Sequence, residues 1–313
     1  MKKISIVTGC YNEAENVELL IQKVREVMER LPEYDYEHIF IDNASEDDTV
    51  KILKSIAKKD RRIKIIVNSR NFGPIRSPYY GLLQAYGDCA ISLVADLQDP
   101  PELIYDFVKK WEEGEKIVIG VKKSSKENKL MYGIRKLYYK FVRKISEVEL
   151  IDNFTGFGLY DREIMDILRS IDDPNPYFRG LICEIGFHKE IVEYEQPDRN
   201  AGKTSYNLYR YFDYAMTGVT SNSKVPIRFA TIAGFLLSAF SLLVSIVYLI
   251  LKLIFWESMV MGVAPMLIGI FFFASVQLFF IGLIGEYILV LCNRTANRPL
   301  VIEKERINFN KKD

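Results

Sequence analysis

Asp96-Leu97-Gln98-Asp99-Pro100-Pro101-Glu102 is the densest chemical signal in the chain, and it follows directly on an apolar run at 90–95. A carboxylate at the end of a buried strand is placed to hold a divalent cation, and magnesium takes one or two carboxylates, waters and a substrate's phosphates. Such a cation would neutralise a departing diphosphate. The plain alternative is an acidic turn capping the next helix, a role that Asp99 also fits. Further polar clusters close other apolar runs: Tyr11-Asn12-Glu13, Asp42-Asn43, and Asn68 to Asn71 with Arg70 among them.

The elements that must position these groups are legible as apolar runs at 4–8, 38–42, 63–67, 89–95 and 117–121, which read as buried strands. Between the first two, Val17, Leu20, Ile21, Val24, Met28 and Leu31 recur at helical spacing, with Asn12 or Asn16 as the cap. Residues 50–57 and 101–111 give further helices, the second opened by proline. Strands alternating with helices predict parallel pairing through crossovers, an α/β sandwich. Ligands in such sheets gather beyond the carboxyl ends of the strands, which is where the polar clusters fall.

The 313 residues carry 42 Lys+Arg against 41 Asp+Glu, a net charge of +1. That balance argues against nucleic acid as a partner, which draws a basic excess. Four scattered cysteines and two histidines build no zinc spacing, so reduced, buried thiols are expected. No Gly-x-Gly-x-x-Gly turn follows an early strand, against a dinucleotide oxidoreductase. The Met-Lys-Lys start has too short an apolar run for a signal peptide.

Composition shifts near Val225. Residues 229–251 hold about 23 positions without a charge, enough for a hydrocarbon core of about 30 Å, and 263–292 form a second run broken by Glu286. Two spans return the chain to one side. Lys224, Arg228, Arg294 and Arg298 flank them, which predicts a multi-pass inner-membrane protein with its N-terminal domain facing the cytoplasm. The expected division is 1–204 catalytic domain, 205–226 amphipathic juxtamembrane segment, 227–292 two spans (about 229–251 and 264–291), and 293–313 cytosolic tail. Basic and aromatic residues at 130–145 and tyrosines at 206–216 suit the interface of a lipid bilayer. Gly234, Gly269, Gly282 and Gly285 would let spans pack closely in a homo-oligomer.

Five motifs in order make the sequence recognisable: Tyr11-Asn12-Glu13; Asp42-Asn43-Ala44-Ser45-Glu46-Asp47-Asp48-Thr49 with Arg70-Asn71-Phe72-Gly73; the Asp96 to Glu102 run; Asp152-Asn153-Phe154-Thr155-Gly156; and Arg199-Asn200-Ala201-Gly202-Lys203-Thr204-Ser205. Together they closely resemble family 2 glycosyltransferases of the GT-A fold, in the branch of polyprenyl-phosphate sugar transferases. The resemblance covers nearly the whole chain. It implies a GT-A nucleotide-sugar domain followed by a two-helix transmembrane hairpin, and sugar transfer, first choice glucose from UDP-glucose, to a bactoprenol-type polyprenyl phosphate with inversion. GDP-mannose or another UDP-sugar is the alternative donor, and a non-catalytic nucleotide-sugar-binding scaffold the alternative class.

The resemblance further implies roles. Tyr11, Glu13, Asp42, Asn43 and Arg70 would hold the nucleotide-sugar. Asp96 and Gln98 would ligate Mg2+ or Mn2+. Lys122, Arg135, Arg199 and Lys203 would hold acceptor or donor phosphate, with Asp96 and Arg199 closest to the chemistry. Asp152 and Asp161 are further carboxylates that could assist. Three departures stand out: Val94 replaces the first aspartate of the usual Asp-x-Asp, Asn43 the second of an Asp-Asp pair, and Thr204-Ser205 the usual Ser-Lys.

Overall fold

Side chains alternate along each strand, and the alternation sorts them onto two faces. On β1 (Lys2–Cys10), Ile4, Ile6 and Cys10 join one apolar cluster and Val7 the other. On β2 (Tyr34–Asp42), Tyr36 and Phe40 go to the first, Ile39 and Ile41 to the second. Strands buried on both faces require a helical layer on each side. The first face receives α1 (Val17–Met28), α2 (Thr49–Ala57) and α4 (Leu103–Glu112); the second receives α3 (Gly73–Leu83), α5 (Arg162–Ser170) and α6 (Phe178–Glu184). The computed structural model describes residues 1–123, 151–197 apart from 152 and 175, 263–295 and 299–309, with scattered positions between 232 and 254.

The remaining strands are β3 (Ile63–Asn68), β4 (Cys89–Val94), β5 (Ile117–Lys122), β6 (Phe154–Asp161), β7 (Glu190–Tyr194) and β8 (Glu303–Ile307). They form one sheet in the order β7-β5-β6-β4-β1-β2-β3-β8. β1 pairs parallel with β2 and β4, and β2 with β3. The parallel pairing predicted from the sequence therefore holds for the first four strands. β6 intervenes antiparallel between β4 and β5, and β8 pairs antiparallel with β3, so the sheet is mixed. Register places Cys10 opposite Asp42, Asp42 opposite Val67 and Gly9 opposite Val94. The parallel strands thus finish level, along one edge.

Helix α3 was not expected from the sequence, because it opens on Gly-Pro and carries Pro78 inside. Its close approach to the sheet holds it. A Cβ on Gly81 would stand 2.7 Å from Ile41 Cγ2, and one on Gly9 2.8 Å from Pro78 Cγ. β8 is equally unexpected, since the region was assigned to a tail. It is tied down by Lys54 Nζ to Glu305 (2.5 Å), Tyr80 OH to Glu303 (2.9 Å), and Asn308 Nδ2 to the carbonyls of Ala57 and Ile63 (2.8 Å each). Of the cysteines, Cys10, Cys89 and Cys183 are buried and reduced as expected, whereas Cys292 is exposed.

The expectation of a multi-pass inner-membrane protein is corrected. Among the described residues, no helix is long and apolar enough to cross a membrane. The expectation rested on the apolar runs of the sequence alone. Helix α7 (Val263–Thr295) has 33 residues.

His38 lies at the centre of β2, with no exposure, its Nε2 3.0 Å from Thr8 Oγ1. Burial, with a smaller contribution from the Arg25 charge, pushes its pKa down to about 3. The folded chain therefore keeps His38 neutral where the unfolded chain protonates it, and stability is lost as pH falls below the unfolded value of 6.5. Between pH 7 and 5 the loss attributable to this group is about 2 kcal/mol. Denaturant unfolding of wild type and His38→Leu at the two pH values checks this; the variant loses less stability on acidification.

Candidate active site

The chain leaves each of β1, β2 and β4 through a non-glycine residue in the left-handed region: Asn12 (φ 57), Ala44 (φ 62) and Leu97 (φ 60). Such conformations cost energy for residues with a Cβ and persist only where surrounding bonds fix them. Here the turns after β1 and β2 are laced to each other. Asn12 N–H donates to Ser45 Oγ (2.9 Å), Glu46 N–H to Asn12 Oδ1 (2.8 Å), Glu13 N–H to Thr49 Oγ1 (2.9 Å), and Ala14 N–H to Asp47 (3.1 Å).

Within this lacing, Asp42 is fully buried and accepts from both Ser45 N–H (3.0 Å) and Ser45 Oγ–H (2.5 Å). Burial raises its pKa above the ordinary carboxylate value, against those bonds. Tyr11 is exposed beside it, and Glu13 Oε2 accepts from Asn16 Nδ2 (2.6 Å). Arg70 is exposed on the turn after β3, its guanidinium 4.0 Å over the Phe72 ring. Asn43 is buried and bonded to Asn68, Asn71, Phe72 and Gly73, so the position expected to touch nucleotide is occupied with protein contacts.

Asp96 is buried just past β4. The left-handed Leu97 reverses the chain so that Asp96 and Gln98 share one turn, with Gln98 N–H donating to Asp96 Oδ1 (3.2 Å). A carboxylate and an amide oxygen form a hard donor pair that suits Mg2+ or Mn2+. Val94, in the position of the usual first aspartate, is the last residue of β4 and is exposed. Among the described residues, one other group has metal-ligand spacing: Glu115, His188 and Glu190. It lies at the opposite end of the strands, since Glu190 pairs with Val118 at the amino end of β5, and it is not part of the group around Asp96.

Two residues entered the site without a sequence signal for their pairing. Asp99, 2% exposed, accepts from Tyr194 OH (2.6 Å), at the end of β7 opposite Lys122 on β5. Burial pushes the Asp99 carboxyl up to about 6; the Tyr194 bond and the Lys122 charge pull it down, and Asp96 pushes it up. Lys122 thus joins the same edge as Asp96 and Asp42. Asp161 does not. It caps α5, accepting from Glu163 N–H (3.0 Å) and Trp111 Nε1–H (2.7 Å), and pairs with Cys89 at the far end of β4. Arg135, Asp152, Arg199 and Lys203 lie outside the described residues.

A half-sheet in the order β3-β2-β1-β4 has its switch point between β1 and β4, where a nucleotide binds in doubly wound folds. An antiparallel strand is inserted beside it, and Asp42, Asp96 and Asp99 lie along its rim. The chain belongs to glycosyl transferase family 2, whose model matches residues 5–168, and it is a hexosyltransferase enzyme. It is 34% identical over 305 residues to the putative glycosyltransferase CsbB of Bacillus subtilis, covering 96% of this chain and 91% of that one. It is 32% identical over 305 residues to the bactoprenol glucosyl transferase of Shigella phage SfX, covering 97% and 99%. The fold is shared with glucosyl-3-phosphoglycerate synthase from Mycobacterium tuberculosis, solved with Mn2+, UDP and phosphoglyceric acid, at a TM-score of 0.50 and 16% identity over 70% of this chain and 76% of that one.

The Tyr194 bond favours ionised Asp99, so removing it raises the carboxyl's pKa above about 6. Carboxyl-carbon NMR titration of the metal-free Tyr194→Phe variant checks the direction. An unchanged or lowered midpoint contradicts it.

Proposed function

We propose that this enzyme transfers a sugar, glucose from UDP-glucose in the first instance, to a polyprenyl phosphate, yielding a polyprenyl-phosphate sugar for cell-envelope glycan modification. The observation that carries this reading is the convergence on one sheet edge of Tyr11, Glu13, Asp42, Arg70, Asp96 and Lys122, from segments far apart in sequence. The near full-length likeness to a bactoprenol glucosyl transferase supports the acceptor class. The catalytic residues fall within 1–204.

In this reading Glu13 and Asp42, with Tyr11 packed beside them, hold the base and ribose, and Arg70 faces the donor. Asp96 and Gln98 hold Mg2+ or Mn2+, which supplies charge neutralisation to the leaving nucleoside diphosphate. Lys122, with Arg135, Arg199 and Lys203, holds phosphate groups. The acceptor needs no strong general base, because a phosphate monoester's second pKa is about 6 and it is mostly dianionic at neutral pH. Its oxygen forms the new bond to the anomeric carbon as the bond to the diphosphate oxygen breaks, inverting that centre. The electron pair departs with the diphosphate. Asp99, bonded to Tyr194, holds the turn after Asp96 in place rather than moving a proton.

Purified protein with UDP-glucose and a polyprenyl phosphate should release UDP and form a glycolipid only with Mg2+ or Mn2+ present, and GDP-mannose and other UDP-sugars in parallel read the donor. Asp96→Asn should cut transfer by at least about 100-fold, the scale of losing one charge-stabilising group. Transfer at the wild-type rate in that variant, or turnover indifferent to chelator, would overturn the reading.

A further inference from the structure

Asn43 uses every hydrogen-bonding position of its side-chain amide. Its Nδ2 donates to Asn71 Oδ1 (2.9 Å) and to the Gly73 carbonyl (3.1 Å). Its Oδ1 accepts from Phe72 N–H (2.8 Å) and from Asn68 Nδ2 (3.3 Å). The orientation of the amide is fixed by chemistry, because a backbone N–H can only donate and a backbone carbonyl can only accept. Asn71 is fixed in the same way: Gly73 N–H donates to its Oδ1 (2.8 Å). Gly73 itself sits at φ +92, where nothing within 4 Å would meet a Cβ, so its backbone conformation is what calls for glycine.

These bonds gather the whole 71–73 turn onto the end of β2. The turn in turn carries Arg70. Its Nη1 donates to the Asn71 carbonyl (3.1 Å) and its guanidinium lies on the Phe72 ring, so Asn43 holds both residues that orient it. An aspartate at this position would keep the two accepted bonds and lose the two donated ones. Carboxylate oxygen would then face Asn71 Oδ1 and the Gly73 carbonyl. Turning over the Asn71 amide would not relieve this, since its Nδ2 would then meet the Gly73 N–H, and the Gly73 carbonyl would still be opposed.

We infer that Asn43 is a positioning residue that acts through the 71–73 turn to aim Arg70 at the donor, and that the turn requires asparagine rather than the aspartate usual at this point. The inference rests on the donor-site reading of Arg70 given above. It turns one departure from the usual pattern into a built feature of this chain.

Asn43→Asp tests it, being isosteric, with Asn43→Ala beside it and circular dichroism to confirm folding. At neutral pH, Asn43→Asp should raise the donor KM by about tenfold or more, the scale of leaving buried acceptors opposed, with kcat little changed. As pH falls through the carboxyl range, the protonated acid regains a donor and the KM should fall back toward wild type. Asn43→Ala should raise KM with no such reversal. The charged neighbours are Asp42, which accepts from Ser45, and the Arg70 guanidinium; wild type and Asn43→Ala keep both and give the pH baseline, whereas the new carboxyl in Asn43→Asp couples to Asp42, so the midpoint of the reversal belongs to that pair. Amide hydrogen exchange across 68–77, read without donor, should quicken in Asn43→Asp at neutral pH. Unchanged exchange, an unchanged KM, or a raised KM flat with pH each overturns the inference. Quickened exchange in a protein whose wild type uses no nucleotide-sugar would instead sink the donor-site reading and leave the turn anchor standing.

Discussion

The cleft depends on the lacing between the turns after β1 and β2. Parallel strands that end level leave their carboxyl ends pointing into a common space, and the chain must leave that edge without filling it. Asn12 and Ala44 do so through left-handed backbone, and Ser45, Asp47 and Thr49 bond across to Asn12, Ala14 and Glu13 to hold both turns. Asp42 anchors the arrangement by accepting twice from Ser45. The Asp-Asn-Ala-Ser-Glu-Asp-Asp-Thr segment therefore serves as the frame of the cleft as much as its lining.

How much of this was legible in the sequence follows from which forces act locally. The five early strands are apolar because both faces are buried, and α1 shows its core stripe at Val17, Leu20, Ile21 and Val24. Helix α3 was hidden: Gly73, Pro74 and Pro78 argue locally against it, and it exists because Gly9 and Gly81 let it sit against the sheet. β6 was recognised as a motif without its direction, which only its antiparallel pairing with β4 and β5 shows; Gly158 lets it lie close to β5, where a Cβ would stand 2.5 Å from the Val118 carbonyl. β8, Glu-Lys-Glu-Arg-Ile, reads as solvated tail, yet charge on an edge strand is how edges are kept from pairing further, and here its charges find partners on α2 and α3.

The site was legible where it rests on backbone position and less so where it rests on side-chain pairing. Asp42 and Asp96 were legible at one edge because each lies at or just past the end of a readable strand, and Lys122, named only through the resemblance, falls at the end of β5 on the same edge. Asn43 reads as a lost carboxylate in sequence and as a four-bond amide in space. Asp161 follows a readable motif, but β6 runs antiparallel and delivers it to the far edge as a helix cap. Tyr194 gives no signal, since only the parallel pairing of β7 with β5 brings it to Asp99.

The two edges of the sheet treat buried carboxylates in opposite ways. On β2, Glu37 is desolvated, but Lys3 Nζ (2.6 Å), Lys64 Nζ (2.9 Å) and Ser5 Oγ–H (2.6 Å) outweigh that and lower its pKa. A few residues on, Asp42 accepts from Ser45, and Asp99 accepts from Tyr194 with the Lys122 charge adding to it; neither set outweighs burial, and both pKa values rise. Asp96 adds to the strain on Asp99. Charged donors thus outweigh burial at Glu37, whereas burial prevails at Asp42 and Asp99. A cation bound beside Asp99 would favour its ionised form. Each carboxylate is fixed by its own turn: Ser45 holds Asp42 within the lacing after β2, and Tyr194 on β7 holds Asp99 on the turn that follows Asp96, so residues far apart in sequence set the geometry of one edge.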